Sequence, residues 1–437
     1  MAGQVSSGDT AWVLVSAALV LLMTPAVALF YGGMVRVKSV LNILMMSLAC
    51  IALVSVLWVL YGYSLAFGPD AAAGLLGDLT QVGMQHLDSV SGSVPTTAFA
   101  SFQLMFAIIT PALVSGAIAD RAKFTGWLVF VALWVSLVYF PVAHWVFFFD
   151  DGQGGWIGDR LGAIDFAGGT AVHINAGAAA LALVLVLGPR IGFRREAMRP
   201  HNLPLVVLGA GLLWFGWFGF NAGSAVAADG VAAGAFLNTQ VATAAAVLGW
   251  LVVERLRDGH ATTLGAASGA VAGLVAITPA CAAVSPLGAI VIGVLAGVAC
   301  AAAVGLKYRF GYDDALDVVG VHLVGGVVGS MLIGLLAIES GLLYGGGFAQ
   351  LGRQAVAVVA VGAYSFGVSY LLGRIVDRTV GFRVSAEEEV TGVDVVTHAE
   401  TAYDLAGAAA GTVAGHRGRT QGRGPDESTA RKEEVQA

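Results

Sequence analysis

Eleven apolar runs of about 20 residues divide this chain, at roughly 11–33, 40–67, 97–118, 124–149, 166–188, 203–223, 233–253, 262–281, 285–305, 315–338 and 354–376. Twenty helical residues rise about 30 Å, the thickness of a bilayer's hydrocarbon core. In that core the backbone must satisfy its own N–H and C=O groups, which a helix does within one segment. The runs predict an all-α polytopic membrane protein with eleven transmembrane helices. Only 11% of the 437 residues are charged, against about 25% in soluble domains.

The charge that exists is sorted by loop. Arg36, Lys38, Arg121, Lys123, Arg190, Arg194, Arg195, Arg199, Arg255, Arg257, Lys307 and Arg309 fall in alternate loops, and only Arg160 and Arg353 in the others. The positive-inside rule then places the N-terminus outside and the C-terminus in the cytoplasm. "MAGQVSSGDTAW" has no Lys or Arg before the first run, which argues against a cleaved signal peptide. The intervening loops carry acid, a weakly negative mouth that favours cations. Cys50, Cys281 and Cys300 all lie in or at the ends of apolar runs. They are expected as small packing residues without a disulfide. The division is a transmembrane domain over 10–380 and a cytoplasmic regulatory tail over 381–437, its charged end expected to be disordered.

Two motifs recur five runs apart. "AIITPA" (Ala107–Ala112) answers "VAITPA" (Val275–Ala280). "DFAGGTAVHINAG" places Asp165 eight residues before His173, and "DALDVVGVHLVGG" places Asp314 eight before His322. Each histidine is followed four residues later by glycine. Five is odd, so the second copy enters the membrane upside down: an inverted repeat of spans 1–5 and 6–10. Each histidine lies about 12 Å deeper than its aspartate. Descending from opposite faces, the two imidazoles meet near the midplane, where transporters built from such repeats hold their substrate.

An ionisable side chain in a span is costly and ordinarily faces an internal cavity. Desolvation disfavours an imidazolium, and a neutral imidazole offers one N–H donor and one bare nitrogen. Two of them suit a small molecule that donates and accepts hydrogen bonds. A zinc site would need further ligands, and the other spans supply none at convincing spacing, so no metal or cofactor is expected. His144 reads as structural or interfacial. Asp165 reads first as a helix cap and second as an electrostatic residue. Asp314 and Asp317, at the start of span 10, read the same way. Phe102 and Phe106 on span 3, and Trp214, Trp217, Phe220 and Ser224 on span 6, place aromatic faces and a hydroxyl near one mouth. Aromatic faces attract ammonium-type cations, although each alone also suits packing or an interfacial belt.

Together "DFAGGTAVHINAG", "GWFGFNAGS", "FQLMFAIITPALVSGAIADR" and "DDALDVVGVHLVGG", in this order, resemble the ammonium transporter family (Amt/Mep/Rh) over residues 10–403. The resemblance implies a homotrimer in the plasma membrane with one pore per subunit. It implies an outer recruitment site at Ser224 and Phe106, a gate of stacked Phe106 and Phe220, and a pore lined by His173 and His322. Asp165 would support the vestibule, and Trp217 would line the pore beyond the gate. Ammonium would lose its proton at the mouth and cross as ammonia. Where the family pattern has a tryptophan three residues after the histidine of "AH", this chain has Phe147, a weaker cation–π partner without an N–H. "GFRVSAEEEVTGVDVVTHAETAY" resembles the segment through which PII-type signalling proteins control such transporters. No nucleic-acid partner is implied.

Two other classes compete. An ammonium sensor would be supported by a fused output domain, for which the tail is too short. A metalloenzyme built on the histidines would be supported by bound metal. No P-loop with its Lys-Ser/Thr is present to drive an ATP pump. His173→Ala and His322→Ala are expected to alter conduction or selectivity. Wild-type behaviour of both variants with ammonium and with potassium would remove the twin-histidine mechanism.

Overall fold

The computed structural model describes residues 4–403. Among them, ten helices are long and apolar enough to cross a membrane. They are α1 (Ser7–Met34), α2 (Val37–Phe67), α3 (Thr96–Ile118), α4 (Phe124–Phe147), α5 (Gly169–Leu187), α6 (Leu203–Ala225), α7 (Gly230–Asp258), α9 (Pro286–Phe310), α10 (Val319–Leu336) and α11 (Ala349–Thr379). Between α7 and α9 lies a shorter apolar helix, α8 (Thr263–Ile277). The sequence reading carried this run to residue 281, but the helix stops at Ile277 and gives way to turns. Pro279 is the reason: it has no N–H to donate, so the helical ladder cannot run on through it.

Side chains start several of these helices. Ser6 caps α1, accepting from the Asp9 N–H. Asn202 does the same for α6, Asp229 for α7, Thr262 for α8 and Ser285 for α9. Each cap satisfies donors that the helix itself leaves unpaired. All three cysteines are buried and free.

In the bundle α1 packs along α6, α7 along α9, and α5 against α10 and α11. The α5–α10 crossing is made by the two glycines that follow the histidines. A Cβ on Gly177 would lie 2.5 Å from the Leu323 backbone nitrogen, and one on Gly326 would lie 2.9 Å from Ile174 Cγ1. Leu323 and Ile174 each directly follow a histidine. The glycines therefore bring the histidine-bearing turns together, as small residues do at membrane helix crossings.

The loops after α1, α3 and α5 and the head of α10 share a buried ionic cluster. Arg190 forks onto Asp313 (Nη2–Oδ1 2.8 Å, Nε–Oδ2 2.8 Å) and reaches Asp120 (3.0 Å). Arg36 also meets Asp120 (3.1 Å), and Arg121 Nη2 donates to the Asp313 carbonyl (2.7 Å). Burial alone would raise the Asp313 carboxyl, but the Arg190 fork and the Arg121 charge bring it down to about 2. Burial lowers Arg121 to about 10.

Residues 381–403 are stitched to this same face. They contain two short helices, α12 (Ala386–Thr391) and α13 (Val393–His398). Glu389 of α12 accepts from Arg383 (2.9 Å) and from the Ile191 N–H (2.8 Å). Asp394 of α13 accepts the Leu41 and Asn42 N–H groups (3.0 and 2.8 Å), so the tail caps the beginning of α2. The His201 ring meets the Tyr403 hydroxyl (3.0 Å). The charged end of the chain lies outside the described residues.

Gly177→Ala is expected to force α5 and α10 apart at a cost of about 1–3 kcal/mol, the usual range for overpacking. A lower melting temperature in detergent together with slower uptake would show this. An unchanged protein would mean that the crossing yields freely.

Candidate functional site

The two imidazoles are in contact. His173 Nδ1 lies 3.2 Å from His322 Nδ1, and the rings are stacked with centroids 5.3 Å apart. Both residues are buried. His173 Nε2 is buried without a partner among the described residues.

Each histidine sits in a wide π-helical turn, over Gly169–Ile174 in α5 and Val319–Leu323 in α10. There the backbone bonds reach five residues back, from the His173 N–H to the Gly168 carbonyl (3.0 Å) and from the Val324 N–H to the Val319 carbonyl. Such turns are rare and occur mostly at functional sites. They place side chains off the ordinary helical register.

Carboxylates hold both turns open. Asp165 Oδ1 accepts from the Gly168 and Gly169 N–H groups (2.8 and 2.6 Å). Its Oδ2 accepts from Thr170 and Ala171 N–H (2.8 and 3.1 Å) and from the Thr170 hydroxyl. Asp314 does the corresponding work in α10, accepting from Val318 and Val319 N–H (3.1 and 2.7 Å). Burial, aided by the charge of Asp317, raises the Asp314 carboxyl to about 6. Both aspartates are caps. Asp317 departs from that expectation: its carboxylate pairs with Lys307 (2.6 Å) and caps nothing. The chain turns at Asp317 in the left-handed region (φ 63°), which aims the side chain away from the helix start.

The residue after each capping aspartate ties its turn to a segment at or beyond the end of α8 or α3, the two elements that carry the repeated Ile-Thr-Pro-Ala. Phe166 N–H donates to the Pro279 carbonyl, and Ala315 N–H to the Ala117 carbonyl, both at 3.1 Å. A Cβ at Gly169 would lie 2.4 Å from Pro279 Cγ, so only glycine fits there.

Aromatic rings continue from the imidazoles in a row. Phe220 is 5.9 Å from the His173 ring and 4.4 Å from Phe106, and Phe106 is 4.9 Å from Phe102. All three phenylalanines are buried. Trp217 stacks on His173 at 5.4 Å and 21°. Its indole N–H donates to the Thr278 hydroxyl (2.8 Å), which lies 3.2 Å from Asn221 Oδ1, and Asn221 donates to Thr239 (2.9 Å). Ser224 donates to the Phe220 carbonyl (2.8 Å). Its oxygen lone pairs are thereby left as acceptors.

Two of the expected residues stay out of this row. Phe147 ends α4 half-buried, and among the described residues its ring pairs with neither Phe106 nor Phe220. Trp214 is half-buried with its indole N–H unpartnered. His144 is structural. Its Nδ1 meets the Ala66 carbonyl (3.1 Å), and its ring stacks on Phe148 (4.6 Å).

Sequence reasoning missed Thr278, Asn221 and Thr239 as the group that orients Trp217, although Thr278 belongs to the second repeat motif and Asn221 to "GWFGFNAGS". It also missed Tyr31. Tyr31 lines a cavity of about 10 Å³ next to His322, together with Ser268 and Asp317. That volume is near the lower limit for one water-sized molecule.

The bundle of long apolar helices around a buried row of rings defines a multi-pass helical membrane protein. The Ammonium Transporter Family profile matches residues 11–403. An ammonium transporter of Mycobacterium tuberculosis is 58% identical over 438 residues, covering 92% of each chain. One of Bacillus subtilis is 47% identical over 408 residues, covering 91% of this chain and 98% of its own. Among solved structures, a sensor Amt protein superposes with a TM-score of 0.84 at 31% identity, covering 89% of this chain and 98% of its own. Saccharomyces cerevisiae Mep2 superposes with a TM-score of 0.81 at 34% identity, covering 88% and 91%. The chain belongs to the ammonium transporter family: it is an ammonium transporter of the plasma membrane, not an enzyme.

Asp165→Ala is expected to strip the cap from α5 and cost about 0.5–2 kcal/mol, with slower uptake as the His173 turn loosens. Asp165→Asn keeps one acceptor oxygen and should fall between alanine and wild type in melting temperature. Equal stability of all three would rule out the capping role.

Proposed function

We propose that ammonium is recruited at Phe106 and Ser224, gives up its proton there, and crosses as ammonia past Phe220 to His173 and His322. The observation that carries this reading is the end of the ring row: two imidazoles joined Nδ1 to Nδ1, with His173 Nε2 buried and unpartnered. An unpartnered buried polar atom is costly, and ammonia, which both donates and accepts hydrogen bonds, would satisfy it. A potassium ion cannot shed its charge, and it would meet ring faces and imidazoles where it needs many oxygen ligands. Phe106 and Phe220, 4.4 Å apart, would swing aside to admit substrate. Trp217, held through Thr278, would keep the His173 ring in line. Asp165 would serve the vestibule through the helix that it caps. Phe147 would line the mouth as a weak cation–π partner.

The same reading extends to the architecture. With α8 crossing as well, the chain has eleven spans, its N-terminus outside and its C-terminus in the cytoplasm. Spans 1–5 and 6–10 form an inverted repeat. The matching π-turns, aspartate caps and glycine crossings of α5 and α10 support it. Residues 10–380 form the transport domain of a homotrimer. Residues 381–437 form the regulatory tail, docking a PII-type signalling protein, and the contacts of Glu389 and Asp394 support a tail able to act on the loops. A sensor is the second reading, favoured by the likeness to the sensor Amt structure.

Proteoliposomes given an ammonium pulse, with potassium as control, test the proposal. Selective passage is expected, seen as current or as a change of internal pH. Neither signal would replace transport by sensing. Equal signals with potassium would remove the deprotonation step.

A further inference from the structure

The cavity beside His322 has an acid on its wall that the passage of a neutral molecule does not need. Asp317 lines it. Both oxygens of the neighbouring Asp314 are taken by backbone donors of α10, and the helix N-terminus offsets that charge. Asp317 has no such donors. Among the described residues its charged partner is Lys307, on α9, whose ammonium lies 2.6 Å from Asp317 Oδ1 and 2.9 Å from the Asp314 carbonyl. Lys307 is buried, only 7% exposed. Near the membrane, such a lysine persists where it has a partner to neutralise.

The geometry points to Lys307 as a product-release residue: by pairing with Asp317 it keeps the inner pore exit from holding a cation. The inference rests on the proposed passage of ammonia past the histidines. Ammonia that leaves that passage meets water and takes up a proton. An unpaired carboxylate beside His322 would then hold the ammonium just formed and obstruct the molecule behind it. Lys307 cancels that charge. Its contact with the Asp314 carbonyl also holds the head of α10 in place, so it positions as well as neutralises.

Lys307→Met separates the two roles when compared with Lys307→Met/Asp317→Asn. The full-length protein is reconstituted, with orientation checked by protease access to the tail. Initial uptake of labelled methylammonium is read against rising ammonium on the inner side. In Lys307→Met, inhibition by inner-side ammonium is expected at concentrations lower by about fivefold, the upper range for a partly exposed ion pair. The double variant should return to the wild-type inhibition curve, because the carboxylate charge is gone too. A wild-type curve in Lys307→Met overturns the inference. Equal loss of uptake in both variants also overturns it, since only the structural contact would then matter. Failure of the wild-type protein to carry methylammonium or ammonium would instead sink the transport mechanism, and this inference with it.

Discussion

The two touching imidazoles, His173 and His322, hang from helices whose first turn is gripped by a carboxylate. In a medium without water, the donors at a helix start have nothing else to bond, and leaving them bare costs several kcal/mol each. Asp165 and Asp314 remove that cost. With the starts secured, the first turns can widen to π geometry without losing their hydrogen bonds. The wide turns, and the glycines four residues beyond each histidine, let α5 and α10 approach until the two rings touch. Phe220 and Trp217 then take their places against the His173 face.

Several polar groups beside the histidines are spent on protein partners. The Trp217 indole is held by Thr278, which is joined to Asn221 and Thr239. The Ser224 hydroxyl is spent on its own helix. His173 Nε2 remains open. Under the proposed mechanism, a row of rings that ends on an open nitrogen would suit a small hydrogen-bonding molecule better than a metal cation.

The opposite end of the fold is built from charge. Arg36, Arg121 and Arg190 read from the sequence as markers of sidedness. In the structure they are also partners of the buried Asp120 and Asp313. Asp313 directly precedes the Asp314 cap, so the ionic cluster and the His322 turn share one stretch of backbone. Glu389, which meets Arg36 at 3.5 Å, joins the tail to the same cluster.

Much of this was legible in one sequence because a bilayer leaves few choices. Apolar length marked the spans to within a few residues, and the equal Asp–His spacing identified the pair that meets. Those signals are local or periodic, and they survive without knowledge of neighbours. What depended on neighbours was not legible. Asp317 sits three residues from a true cap, yet it turns to Lys307 because the backbone there is left-handed. Phe147, expected at the mouth from the resemblance, ends α4 half-buried and pairs with neither Phe106 nor Phe220 among the described residues. Thr278, read as half of a repeat, proves to orient a tryptophan 61 residues away. The sequence by itself determined that the chain is a helical membrane protein with two histidines at one depth. Only the tertiary structure decided which polar groups are spent on each other, because a hydrogen bond is a property of two groups and a sequence lists them one at a time.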